Sequence, residues 1–323
     1  AKDICFIWAQ PFIFRDWRIS ADLEVFFRVS LDGAEGDDTL MFGRNSGQDT
    51  ASAYENRQGK TDTVRLVGLT SSEVTMSRSA DDLVIGIVDT KDTLRIKYHF
   101  IENANGGYQI DRVLFADGQV WNQAAILERV FEGGEGNDTV MGLDSDDVIK
   151  GGAGDDRLSG SGGHDRLEGG SGADILNGGA GNDVLNGGTG NDSLIGGDGS
   201  DIYEINIGSG RDVINNYDVS GGTDVLQFGT EVSLEDLWFR RNGSDLEVSI
   251  IDTSDKVVVS NWYAANDYQV DQFKTADGKT LLDSQVQSLV DKMASFGVDA
   301  GAERNLTAAQ QTQLDTVLAA NWQ

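Results

Sequence analysis

The sequence predicts a mainly β protein: a parallel β-roll, that is, a right-handed β-helix-like solenoid, with β-rich capping modules and C-terminal amphipathic helices. Three observations carry this expectation. Residues 133–204 repeat every nine residues, the segments on either side are two versions of one module, and the C-terminal stretch places its apolar residues at helical spacing. The organisation expected is an N-terminal strand segment (1–32), a first capping and degenerate-roll module (33–126), the central roll (127–204), a second capping module (205–284) and a helical C-terminal region (285–323).

Composition narrows the partners. The 323 residues carry 54 Asp or Glu against 25 Lys or Arg, a formal charge of −29. Such a chain repels polyanions, so no nucleic acid is expected as a partner. Glycine occurs 41 times and proline once, which sets the chain apart from collagen-like and Pro/Gly low-complexity sequences. The single Cys5 excludes an internal disulfide framework, and two histidines exclude most His-based sites. No run of 18 apolar residues is present, so no transmembrane segment is expected.

At the N-terminal end, residues 4–14 (ICFIWAQPFIF) are the most apolar stretch. They lack a basic flank and a small-residue cleavage site, so a buried strand interrupted at Pro11 is expected rather than a signal peptide. The chain begins at Ala1 rather than Met, and is read as a piece of a longer polypeptide.

The repeat divides without a gap into GGEGNDTVM, GLDSDDVIK, GGAGDDRLS, GSGGHDRLE, GGSGADILN, GGAGNDVLN, GGTGNDSLI and GGDGSDIYE. The sixth position is always aspartate: Asp138, Asp147, Asp156, Asp165, Asp174, Asp183, Asp192 and Asp201. The eighth is always apolar: Val140, Ile149, Leu158, Leu167, Leu176, Leu185, Leu194 and Tyr203. Each unit is expected to form a six-residue glycine-rich turn followed by three extended residues that turn one apolar side chain inward. Two units then make one flattened coil, with parallel pairing between unit n and unit n+2. A flexible glycine-rich linker would not place an apolar residue at every ninth position.

Stacked coils also stack carboxylates. The 72 repeat residues contain 15 acidic and 3 basic side chains, a net −12, and aspartates one strand spacing apart, about 4.8 Å, repel unless neutralised. The donors available are carboxylate and backbone carbonyl oxygens, which select a hard cation. Calcium fits best, because it accepts six to eight oxygens in adaptable geometry. Without a cation, charge and glycine entropy favour an open chain.

These units resemble the G-G-x-G-x-D-x-U-x nonapeptide of RTX (repeats-in-toxin) proteins, a calcium-binding parallel β-roll. The resemblance implies an ion between unit n and unit n+2, held by both aspartates and by carbonyls of nearby turn residues. Gly134, Gly152, Gly154, Gly163, Gly170, Gly172, Gly179, Gly181, Gly188, Gly190, Gly197 and Gly199 match the second or fourth turn position. Eight units give six such gaps, hence up to about six Ca²⁺ ions. Leu143 and Ser145 replace glycine in GLDSDDVIK, which sets that end of the roll apart. His164 is expected to be an exposed turn residue.

Residues 33–121 align segment by segment with 197–281: SGQDT with SGRDV, KTDTVRL with GTDVLQF, SADDLVIGI with NGSDLEVSI, DTLRIKYHF with DKVVVSNWY, and YQIDRVLFADGQV with YQVDQFKTADGKT. Asp38, Asp49 and Asp62 thereby answer Asp201, Asp212 and Asp224, and are read as loosened coils that continue the roll into its ends. The remainder is expected as hairpins around Asn242-Gly243, then strands over 256–262 and 269–275, with tight turns at Asp117-Gly118 and Asp277-Gly278. Trp238, Trp262, Tyr263, Tyr268 and Phe273 are assigned to cap packing. The paired modules resemble the haemolysin-type calcium-binding-related segment found beside RTX repeats. Helical spacing follows over 281–296 and 307–321, and the ending LDTVLAANWQ resembles the export region of RTX proteins secreted by the type I route.

No catalytic motif is present. H-E-x-x-H and G-x-S-x-G are absent, and the GKT triplets ending at Thr61 and Thr280 have Tyr54 and Phe273 where a phosphate-binding loop needs glycine. The expectation is a non-enzymatic, calcium-binding structural and export module of a larger secreted bacterial toxin, enzyme or adhesin. It folds on meeting extracellular calcium, and its partners are the type I secretion machinery and an upstream domain. The alternative is a calcium-stabilised adhesive module for a surface glycan or protein.

Overall fold

The structure is a computed structural model that describes residues 4–6, 30–32, 37–52, 61–101, 108–298 and 305–322. It divides into two compact units, residues 1–131 and 132–323. The expected strand over 4–14 is seen as Ile4–Phe6; its continuation through Pro11 lies outside the described residues.

In the second unit the repeats wind into two facing ladders. One sheet runs through Glu132–Glu135, Val148–Ala153, Arg166–Ser171, Val184–Thr189, Ile202–Ile205 and Val225–Phe228, and ends on Gln272–Lys274 and Thr280–Leu282. The other runs through Thr139–Met141, Arg157–Gly162, Ile175–Ala180, Ser193–Asp198 and Arg211–Ile214, and ends on Lys256–Val259, Asp245–Ile250 and Leu237–Asn242. Repeat strands pair in parallel at a register of eighteen residues, with Ile149 opposite Leu167 and Leu158 opposite Leu176. Every position-eight side chain from Val140 to Tyr203 is buried. Burying each leucine contributes roughly 2 kcal/mol.

Each full repeat strand has six residues rather than the expected three, running from position seven of one unit to position three of the next. Position one is therefore an inward-facing strand position as well. Its glycine is needed for absence of a side chain rather than for a positive φ: a Cβ on Gly160 would collide with Oδ2 of Asp165 and the carbonyl of Gly178. Positions two and four do adopt positive φ, as at Gly170 (+109°) and Gly172 (+131°).

Parallel pairing continues through Arg211–Ile214 and Val225–Phe228, and antiparallel strands then close each sheet. Leu237–Asn242 and Asp245–Ile250 form the expected hairpin, and Lys256–Val259 joins it. The strands expected over 256–262 and 269–275 do not pair with each other. Lys256–Val259 continues one sheet beside Arg211–Ile214, and Gln272–Lys274 continues the other beside Val225–Phe228. Each sheet needs its own closing hairpin because a solenoid end exposes two open edges. Trp238, Trp262 and Phe273 are buried in this cap, while Tyr263 is half-buried beneath the Arg241 guanidinium. Helix α2 (Asp283–Ser295; the sequence-derived module boundary at 284 falls inside it) buries Val286, Leu289, Val290 and Met293. Helix α3 (Ala308–Asn321) starts at a Thr307 cap, whose N–H donates to Gln310. No helix among the described residues is long and apolar enough to cross a membrane.

The first unit repeats the closing half of this plan. Thr39–Gly43, Thr63–Val67, Arg112–Leu114 and Val120–Asn122 follow one another in one sheet, and Gln48–Ser52, Thr93–Lys97, Asp82–Ile87 and Val74–Ser79 in the other. Asp49 stands opposite Leu94 as Asp212 stands opposite Val257. Strands also precede this module: Ile4–Phe6 and Ser30–Asp32 pair in parallel with Thr39–Gly43 and Gln48–Ser52. A further helix, here numbered α1 (Gln123–Val130), spans the expected module boundary at 126 and buries Ile126 and Val130. The sequence reading missed it because eight residues hold barely two turns of periodicity.

Candidate metal centre

The turns gather the predicted residues on two edges. One edge carries Asp138, Asp156, Asp174 and Asp192 with Gly134, Gly152, Gly154, Gly170, Gly172, Gly188 and Gly190; the other carries Asp147, Asp165, Asp183 and Asp201 with Gly163, Gly179, Gly181, Gly197 and Gly199.

Along each edge one hydrogen bond recurs. The N–H of each aspartate donates to Oδ1 of the aspartate one coil on: Asp138 to Asp156 (2.8 Å), Asp156 to Asp174 (2.7 Å) and Asp174 to Asp192 (2.9 Å). On the facing edge Asp147 donates to Asp165 (2.9 Å), Asp165 to Asp183 (2.8 Å) and Asp183 to Asp201 (2.9 Å). The second oxygen behaves differently. Oδ2 of Asp138, Asp156, Asp165, Asp174, Asp183, Asp192 and Asp201 is buried without a hydrogen-bond partner, turned into its own turn against the position-one glycine. Buried oxygens of this kind are costly unless something positive meets them.

Carbonyl groups line the same edges. A Cβ on Gly170, Gly188 or Gly197 would strike the carbonyl of Gly152, Gly170 or Gly179 one coil back, and the fourth-position glycines approach their predecessors in the same way. Among the described residues no group of three or more His, Cys, Asp or Glu side chains converges on one point. The donor set is thus a file of single carboxylates among stacked carbonyls, all oxygen, which fits a hard cation such as calcium.

Family models match this segment and its flanks: the RTX calcium-binding nonapeptide repeat over residues 132–167 and 168–203, and the haemolysin-type calcium binding protein related domain over 82–125 and 245–285. Residues 132–203 are RTX repeats. Among relatives, the iron-regulated protein FrpA of Neisseria meningitidis serogroup C is 32% identical over 108 residues, which is 33% of this chain and 10% of that protein. The chain therefore matches about a tenth of that relative's length. The extracellular lipase LipA of Serratia marcescens aligns with 73% of this chain and 38% of its own at 14% identity, with a TM-score of 0.24.

The RTX ladder departs from regularity where the sequence does. In GLDSDDVIK the N–H of Leu143 donates to Oδ2 of Asp147 at 2.6 Å, so this carboxylate is engaged within its own turn. His164 is exposed and belongs to a second ladder, at position five: its N–H donates to Asp146 and its Nδ1 accepts from Asn182 N–H. The sequence reading missed this ladder, although Asn, Asp, Ser and His at position five are the types that accept from backbone. His99 is buried, and its Nδ1 accepts from Ile110 N–H at 3.2 Å.

Both files continue past the RTX repeats. Asp192 N–H donates to Asp212 (3.1 Å), Asp201 N–H to Asp224 (2.9 Å) and Asp224 N–H to Asp271 (2.7 Å). Asp255, not anticipated from sequence, accepts from the N–H groups of Gly208 and Gly210 at 2.8 and 2.9 Å. In the first unit Asp38 N–H donates to Asp62 at 3.0 Å, and Asp92 accepts from Asn45 and Gly47.

Electrostatics agree with the geometry. Burial pushes Asp165, Asp201 and Asp212 up to about 7 and Asp192 to about 6, against 3.8 for an ordinary aspartate; hydrogen bonds from the preceding aspartate offset part of this. Asp174 and Asp183 are raised for the same reason. With the roll closed and no cation present, these carboxylates resist ionisation.

Proposed function

We propose that the roll is a calcium-dependent folding module of a larger secreted bacterial protein, ordered after passage through a type I secretion machinery. The observation that carries this is the row of seven buried Oδ2 atoms without donors, each facing into a glycine turn.

In this reading Asp138, Asp156, Asp174 and Asp192 on one edge, and Asp147, Asp165, Asp183 and Asp201 on the other, hold calcium in the gaps between successive coils. Carbonyls of the second- and fourth-position residues complete the donor set, with up to about six ions in the RTX repeats. Bound calcium supplies the positive charge that lets these aspartates stay ionised while buried. Interior aspartates such as Asp174 and Asp183 serve the gaps on both sides. The position-eight side chains, from Val140 to Tyr203, then close the core.

Such a chain is open where calcium is scarce and closes outside the cell, where modules of this kind bind at about 10⁻⁴–10⁻³ M. A single proline and a single cysteine suit rapid refolding after export. The role assigned to this chain is structural, and any catalytic or toxic activity belongs to an upstream domain of the same polypeptide.

A calcium titration followed by far-UV circular dichroism tests the proposal. The expected result is a coil-to-β transition that chelator reverses and magnesium reproduces poorly. Equal β content in chelator and in calcium would refute it.

A further inference from the structure

The file of aspartates that runs through Asp201 ends in a different chemistry from the one that fills its interior. Asp224, the next carboxylate after Asp201, has both oxygens engaged: Oδ1 accepts from Asp201 N–H at 2.9 Å and Oδ2 from the Asn216 amide at 2.7 Å. Asn216 is fully used in turn. Its Nδ2 also donates to the carbonyl of Gln269 at 3.0 Å, and its Oδ1 accepts from the Tyr203 hydroxyl at 2.6 Å. That hydroxyl accepts from Gly196 N–H at 3.0 Å. Asp224, Asn216 and Tyr203 are 3%, 3% and 0% exposed.

Tyr203 is the one aromatic residue among the eight position-eight side chains, and its hydroxyl is what joins the last RTX unit to Asn216. A buried network with every member satisfied stabilises a fold by itself, whereas a partly satisfied one needs an outside partner. The seven repeat aspartates are of the second kind and Asp224 is of the first.

We propose that the Asn216 amide takes the place of a cation at the Asp224 rung, so that the module beyond residue 204 keeps its fold without calcium and offers the RTX repeats a formed end to stack on. Beyond Asp212, the last aspartate of the other file, Asp255 has both oxygens on backbone donors, the N–H groups of Gly208 and Gly210. This inference rests on the calcium reading of the repeats, and the experiment separates the two.

Hydrogen exchange is measured on the full chain in chelator and in calcium, for the wild type, Asn216→Asp and the swap Asn216→Asp with Asp224→Asn. In chelator, wild-type peptides within 211–228 and 245–274 are expected to stay protected while those within 133–200 exchange freely. Asn216→Asp sets two carboxylates against each other, and is expected to speed exchange in 211–228 roughly tenfold or more in chelator, with recovery in calcium. The swap restores the amide-to-carboxylate bond in the opposite sense and leaves an acceptor for Asp201 N–H and for the Tyr203 hydroxyl; it gives up the donor to the Gln269 carbonyl, and is expected to regain part of the protection in chelator. The proposal is overturned if the wild-type module is unprotected in chelator, if Asn216→Asp exchanges like the wild type, or if the swap gives no recovery. Failure of the calcium reading has a different signature: residues 133–200 would then exchange alike with and without calcium.

Discussion

The backbone N–H of Asp165 donates to Oδ1 of Asp183 at 2.8 Å, so the Asp183 carboxylate fastens one coil to the next. Its other oxygen is buried and without a partner. Asp183→Ala is therefore expected to do two things: strand the Asp165 N–H, at about 1–3 kcal/mol, and remove a donor from the gaps on either side. Asp183→Asn keeps the acceptor and loses only the charge. Calorimetric titration should find fewer ions and a higher calcium midpoint for both variants, with a lower melting temperature for Ala than for Asn. Wild-type stoichiometry and midpoint in both variants would contradict the placement.

Two glycines of one strand should answer differently to the same substitution. A methyl on Gly160 meets Oδ2 of Asp165 and the carbonyl of Gly178, whereas at Gly162 the nearest atom is 3.8 Å away and φ is not positive. Gly160→Ala should cost about 1–3 kcal/mol through overpacking. Gly162→Ala should be neutral or stabilising by about 0.5 kcal/mol, because it restricts the open chain. The calcium midpoint followed by circular dichroism distinguishes them, and equal midpoints would count against a side-chain-free requirement at position one.

Acidity should act on the metal-free roll in the sense opposite to the usual aspartate. Asp165, Asp192 and Asp201 lie at about 6 to 7 when folded and near 3.8 when not. The folded state thus binds protons more tightly, and its stability is greatest below the unfolded value and is lost as pH rises from about 4 to 7. In chelator, β content should be higher at pH 5 than at pH 8. Calcium competes with those protons, so its affinity should rise over the same interval. More β structure at pH 8 than at pH 5 in chelator would reverse the sign of the argument.

Core stacking supplies a metal-independent check. Leu176 is fully buried and pairs in register with Leu158 and Leu194. Leu176→Ala should lower stability by about 2–5 kcal/mol. In saturating calcium this is read as a lower melting temperature with the ion count unchanged. A lost ion would mean that the core and the edges are not separable.

Much of this is legible in the sequence. A strict period of nine with Asp at six and an apolar residue at eight leaves few alternatives to a coil of two units, and the register of Leu158 with Leu176 follows from it. What the period could not convey was how residues with no repeat partner behave. Position one looked like one more flexible turn glycine, because only three-dimensional stacking reveals the Asp165 oxygen beside Gly160. Asn216 and Asp255 escaped notice because their partners lie 8 residues away at Asp224, and 45 and 47 residues away at Gly210 and Gly208. Helix α1 was too short to announce itself.

The eighteen-residue pitch limits how such a chain can change length. Because alternate units take opposite edges, removal of one nonapeptide would send every later aspartate across to the other rim relative to the units before it, with Tyr203 and Asn216 carried along together. Removal of two would keep every partner on its own side. The repeat should therefore grow and shrink in whole revolutions, a parity rule imposed by the geometry of winding.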